Sequence, residues 1–132
     1  MCKRNSVNIQ GVVLLLAQMS SRGNLLDSQY TSQVVEKGKT HGGVFGFIGN
    51  GSRPNELREL RKAVGEAKMI WTPGVNLAVG DGEMGQRYGD PAQAVNAGSD
   101  CIIVGSGIHM ADNPSQQAAK YAEVSWHALL NR

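Results

Sequence analysis

Cys101-Ile-Ile-Val-Gly-Ser-Gly-Ile108 is a short apolar run, β-branched at its centre, that stops abruptly on a Gly-x-Gly loop. Three comparable runs precede it: Gly11-Val-Val-Leu-Leu-Leu-Ala17, Val44-Phe-Gly-Phe-Ile48 and Met69-Ile-Trp-Thr72. Continuous apolar runs of this length, rich in Val and Ile and bordered by glycine, read as strands buried on both faces. Each is followed by a loop and a helical stretch.

The first helix is expected from about Tyr30 to Lys37. The second runs from about Pro54 to Gly65, with Leu57, Leu60 and Val64 on one face. The third opens on Asp90 as N-cap with Pro91 at the first helical position, and Gly98 stops it. The fourth repeats that opening with Asn113 and Pro114, and Ala119, Ala122, Trp126 and Leu129 fall on one face. The resulting order is βαβαβαβα, in which strands joined through helices must be parallel and the crossovers right-handed. Four such units suit either a small open doubly wound sheet or half of an eight-stranded (β/α) barrel, and the pattern leaves both open.

Composition sets outer bounds. The chain has 132 residues, 41% hydrophobic and 18% charged, as expected of one soluble α/β domain. Thirteen Lys and Arg against eleven Asp and Glu leave a formal charge of +2, which gives no sign of a nucleic-acid or membrane surface. Cys2 and Cys101 stand far apart, with no CxxC spacing and no clustered histidines, so neither a disulfide framework nor a zinc site is indicated. A reducing, cytoplasmic setting follows. Lys3 and Arg4 precede the apolar stretch from Val12 to Ala17, but it is too short for a signal-peptide core and far short of the roughly 20 residues of a membrane span.

The unusual residues lie in loops that follow strands, the edge at which α/β proteins bind ligands. These loops read Gln18-Met-Ser-Ser-Arg-Gly23 after the first strand, the long Gly-rich segment from Pro73 to Tyr88 after the third, and Gly105-Ser-Gly-Ile-His-Met-Ala-Asp112 after the fourth. Glycine-rich loops after adjacent parallel strands let backbone amides approach a phosphate, and a following helix start adds a favourable dipole. The same Gly-x-Gly spacing also serves turns that bind nothing. Ser20 and Ser21 can donate to a planar polar ligand or simply satisfy their own loop. His41, His109 and His127 are scattered and read as surface or packing residues, and Trp71 and Trp126 as core. No Lys and no pair of acids stands at the end of a strand: the six lysines, Lys3, Lys37, Lys39, Lys62, Lys68 and Lys120, fall in the tail, in helices or in loops leading into strands. The chain carries binding loops without acid–base groups.

Five ordered segments sharpen this. Leu15-Leu-Ala-Gln-Met-Ser-Ser-Arg-Gly-Asn-Leu25, Val44-Phe-Gly-Phe-Ile48, Thr72-Pro-Gly-Val75, Gly85-Gln-Arg-Tyr88 and Gly98-Ser-Asp-Cys-Ile-Ile-Val-Gly-Ser-Gly-Ile108 resemble the C-terminal half of the orotidine 5'-phosphate decarboxylase family, closest to its fungal and animal form. The resemblance implies strands five to eight of a (β/α)8 barrel, within one partial domain spanning 11–132 after a tail of residues 1–10. It also implies cofactor-free loss of CO2 from orotidine 5'-phosphate to give UMP. Carried over by position, Ser20 would hydrogen-bond the pyrimidine amide edge and Pro73 would line the pocket. Gln86 would bridge base and phosphate, Tyr88 would contact the phosphate, and the backbone from Gly105 through Ser106 to Gly107 would complete its cradle.

Two departures qualify the implied activity. The family's catalytic Lys and Asp residues, centred on Asp-x-Lys-x-x-Asp, belong to the other half of the barrel, and no such motif occurs here. In the complete enzyme those charges would stress the substrate carboxylate and protonate the product carbon, so this chain alone is expected to be inactive. Ser106 stands where the family has an Arg on the phosphate, a loss of roughly one to two decades in affinity. Arg87, in place of a second Gln, is offered as partial compensation. The expected partners are orotidine 5'-phosphate or UMP, together with a missing N-terminal half-barrel. The alternative is a non-catalytic nucleotide- or phosphate-binding half-barrel paired with a second copy of itself, since a half-barrel leaves two exposed sheet edges.

Overall fold

The computed structural model describes residues 11–78, 80–81 and 87–132. Four parallel strands, β1 (Val13–Leu16), β2 (Val44–Ile48), β3 (Met69–Thr72) and β6 (Cys101–Ile102), form one sheet in the order β1-β2-β3-β6. Helices α1 (Ser28–Thr40), α2 (Pro54–Val64) and α3 (Pro91–Asn96) alternate with them, and α4 (Ser106–His109) and α5 (Pro114–Leu130) follow the last strand. The expected alternation of strand and helix is therefore present. Two elements were not foreseen: α4, and a short antiparallel ribbon of β4 (Gly80–Asp81) and β5 (Arg87–Tyr88) within the long loop after β3.

Local chemistry accounts for the helix starts. Asp90 accepts from the Ala92 amide at 2.8 Å and Asn113 from the Gln116 amide at 3.0 Å, each ahead of a proline, as the sequence predicts. The start of α1 lies two residues before the expected Tyr30, because the Asp27 carboxylate accepts from the Tyr30 amide at 2.8 Å. On α2, Leu57, Leu60 and Val64 are all buried.

These three side chains meet Val35 of α1 and Ala94 of α3 over Phe47 and Ile70. Strand register aligns Leu15 with Phe47 and Phe47 with Ile70, so one row of the sheet feeds a single core. Gly38 lets α1 approach closely: a Cβ there would come within 2.6 Å of the Phe47 ring. At the strand entrances, Arg61 of α2 donates to the Gly98 carbonyl at 2.9 and 2.6 Å and pairs with Asp100, whose carboxylate accepts from the Ile70 amide at 2.8 Å. One guanidinium thereby fastens α2 to the beginnings of β3 and β6.

Two expectations about burial are corrected. The two faces of the sheet are not equally covered. The alternate row, in which Leu16, Ile48, Trp71 and Cys101 align across all four strands, contains no fully buried residue. A continuous apolar run signals that both faces avoid water in the finished fold, and it does not say which atoms of the same chain cover them. The stripe Ala119, Ala122, Trp126 and Leu129 of α5 also faces outward, with Trp126 59% exposed, so Trp126 is not core. The buried residues of α5 are Tyr121 and Ala128, because α5 packs against α3 and α4 through that narrower face.

Candidate functional site

The carboxyl ends of the strands gather the loops singled out in the sequence, held together mainly by backbone bonds. The Gly49 amide donates to the Trp71 carbonyl at 2.9 Å and that of Gly51 to the Pro73 carbonyl at 3.0 Å, tying the loop after β2 to the loop after β3. The Gly89 amide donates to the Gly74 carbonyl at 2.8 Å, and its carbonyl accepts from the Asn76 amide at 2.9 Å, so the ribbon is folded back onto the end of β3.

Ser20 is buried beneath Gly74 at this edge. Gly74 has φ +77°, a conformation that disfavours a side chain, and a Cβ there would lie 2.8 Å from the Ser20 hydroxyl oxygen and 3.4 Å from the Arg87 carbonyl. Ser20 and the Pro73–Gly74 turn are therefore neighbours. On the other side, the Tyr88 and Ser106 hydroxyls lie 3.4 Å apart across the gap between β5 and α4. Gly105 has no atom within 4 Å of where a Cβ would stand, which leaves open space above the end of β6. The amides of Ile108, His109 and Met110 bond back to the Gly105 and Ser106 carbonyls at 2.9–3.2 Å, closing the turn. Gln86 lies outside the described residues.

A cleft of about 630 Å³ opens beside this edge, between α1 and α2 and under the loop after β1. Ser20, Arg87, Asn24, Thr31 and Glu59 are among its lining residues, whereas Pro73, Tyr88, Gly105, Ser106 and Gly107 are not. Among the described residues of the expected site, Ser20 lines this cleft and the others do not.

Three polar side chains that organise the edge were missed in the sequence. Asn50, buried, donates to the Met19 carbonyl at 3.1 Å and accepts from the Ser52 amide and hydroxyl at 3.0 and 2.7 Å. Gln18 accepts from the Asn50 amide at 2.9 Å and donates to the Glu56 carbonyl at 3.0 Å. Tyr121 reaches from α5 to Asn76 and Leu77. The Gly-Asn-Gly stretch at 49–51 was the available signal for Asn50; the partners of Gln18 and Tyr121 lie too far along the chain for any spacing rule.

Among the described residues no group of three or more His, Cys, Asp or Glu side chains is placed to hold a metal ion, and no helix is long and apolar enough to cross a membrane. Cys101 is a free thiol, pushed up in pKa first by burial and then by the negative charge of Asp100.

Comparison with known proteins gives a consistent outcome. Residues 3–121 match the model of the orotidine 5'-phosphate decarboxylase / HUMPS family. Orotidine 5'-phosphate decarboxylases of Emericella nidulans and Coccidioides immitis are 37% and 38% identical to this chain over 121 residues, covering 91% of it. The chain spans 44% of the length of each of these curated relatives. Among solved structures, orotidine 5'-phosphate decarboxylase from Pyrococcus horikoshii superimposes with a TM-score of 0.70 at 30% identity, covering 88% of this chain and 51% of the other.

Proposed function

This chain belongs to the orotidine 5'-phosphate decarboxylase / HUMPS family, and from that premise we propose that it supplies the substrate-binding half of such an enzyme without the groups that perform the chemistry. In this reading residues 11–132 form one partial barrel domain, working in the cytoplasm without a cofactor. Its ligand is orotidine 5'-phosphate or UMP. Ser20 and Pro73 face the pyrimidine, Gln86 bridges base and phosphate, and Tyr88 with the backbone of Gly105, Ser106 and Gly107 takes the phosphate.

The observation that carries the reading is the convergence of the Tyr88 and Ser106 hydroxyls, 3.4 Å apart, beside the open space at Gly105. Two hydroxyl groups and a turn free of side-chain bulk suit an anion with several acceptor oxygens. Phosphate contacts made far from the reacting carbon supply binding energy that the complete enzyme can use at the transition state. The Asp-x-Lys-x-x-Asp segment is absent from the sequence, so decarboxylation requires an N-terminal half-barrel that brings it. The outward stripe of α5 and the partly covered row of the sheet provide apolar surface for that partner.

A second reading, a non-catalytic nucleotide-binding homodimer, is favoured by one feature. Among the described residues β1 pairs only with β2 and β6 only with β3, which leaves both edges able to accept another parallel strand.

Titration calorimetry with UMP tests the binding half: saturable heat at one ligand per chain is expected, and a folded chain giving none would sink the reading. Adding a segment that carries the Lys and Asp motif separates the two versions. Decarboxylation appearing only in the mixture supports the split enzyme, whereas UMP binding by a dimer that stays inactive in the mixture supports the second.

A further inference from the structure

Tyr121 is 2% exposed on a helix whose larger apolar side chains, Trp126 and Leu130, face outward. Its burial is therefore not that of a simple hydrophobic stripe, and its hydroxyl is fully used. The hydroxyl accepts from the Leu77 amide at 3.1 Å and donates to the Asn76 side-chain oxygen at 3.1 Å. The same Asn76 oxygen accepts from the Ala78 amide at 2.9 Å, and the Asn76 amide is bonded to the Gly89 carbonyl at 2.9 Å, one residue beyond Tyr88. On its other side the hydroxyl fills the place a Cβ would take at Gly107, and a Cβ there would also stand 3.3 Å from the Asn76 side-chain nitrogen.

We propose that Tyr121 is a positioning residue for the phosphate end of the site, its hydroxyl holding the Tyr88 arm and the Gly105–Gly107 turn at a fixed separation. The inference rests on the proposed role of those two segments in phosphate binding. It also explains the second glycine of Gly-Ser-Gly without reference to a ligand, because any side chain at 107 must displace the hydroxyl on which both segments rest. Both hydrogen-bond partners of the hydroxyl lie at Asn76 and Leu77, so a buried phenol that must keep them satisfied is anchored to the loop after β3, and from that anchored position it meets Gly107 by van der Waals contact and sets how closely the turn can approach.

The test is Tyr121→Phe in the full chain, which keeps the ring and removes the oxygen, with UMP and uridine as probes. UMP affinity is expected to fall about tenfold while uridine affinity is unchanged. A second arm uses Gly107→Ala, which is expected to weaken UMP binding in the parent chain and to weaken it less when Tyr121→Phe has made room. UMP binding unaltered in Tyr121→Phe overturns the inference, as does an equal loss for UMP and uridine, the mark of general loosening. If Tyr121→Phe fails to fold, unchanged UMP affinity in Gly107→Ala overturns it and a loss confined to UMP supports it. A parent chain that binds neither probe refutes the phosphate reading itself, and this role of Tyr121 with it. A parent that binds UMP, beside a variant that binds it equally, refutes the role of Tyr121 alone.

Discussion

The two faces of the four-stranded sheet are built from the same kinds of residue and end unequally covered. On one face Phe47 and Ile70 are wholly buried under Leu57, Leu60 and Val64 of α2, with Val35 of α1 beside them. On the other, the row through Leu16, Ile48, Trp71 and Cys101 is only partly covered, and Leu16 is 37% exposed. Burial of an apolar side chain is worth about 1.5–3 kcal/mol, so the fully covered row contributes more to holding this chain together than the partly covered one. A half-length member of a barrel family has this asymmetry by construction, because the residues that point into a barrel are covered by strands from around the whole ring.

The largest expected effect lies on the covered face. Phe47→Ala removes a side chain with no exposed surface and should cost about 3–5 kcal/mol, read from denaturant melts; a loss below about 1 kcal/mol would show that the helices do not depend on this face. Leu16→Ala, one position from the corresponding row and on the other face, is expected to cost about 1 kcal/mol or less in the chain alone. If a half-barrel partner covers this face, the same substitution should weaken the complex by more than it destabilises the chain. The smallest effect concerns Cys101, best followed in a Cys2→Ser background. Burial and the Asp100 charge both disfavour its thiolate, so alkylation should lag that of an ordinary thiol at pH 8.5 and increase only as pH rises further. A pH profile matching a free thiol would mean that the open face is wetter than the structure implies, whereas further slowing on addition of a partner would show that the face has been covered.

Much of this was legible along the chain. The bounds of β2 and β3, the caps at Asp90 and Asn113 and the stripe of α2 depend on residues within one or two turns of each other, and local chemistry decides them. Of the proposed site, the sequence made legible where its loops lie, since Ser20, Pro73, Tyr88 and the Gly-Ser-Gly turn come to one edge of the sheet. The outward stripe of α5 was misread for a definite reason. Helical period identifies an apolar face, but only a neighbouring element decides whether that face is covered, and α3 and α4 meet the Tyr121 side instead. Gln18 and Tyr121 escaped notice because their bonds join segments far apart in sequence.

By itself the sequence determined an alternating parallel α/β chain, the edge at which its special residues lie, and a family resemblance without that family's catalytic motif. These follow from period, capping chemistry and ordered short motifs, all of which act over short distances along the chain. Only the tertiary structure decided which face of each run is covered, that the loop after β3 doubles back as a ribbon, and that one buried phenol meets both Asn76 and Gly107. Those outcomes depend on hydrogen bonds and van der Waals exclusion between residues that meet only after the sheet has formed.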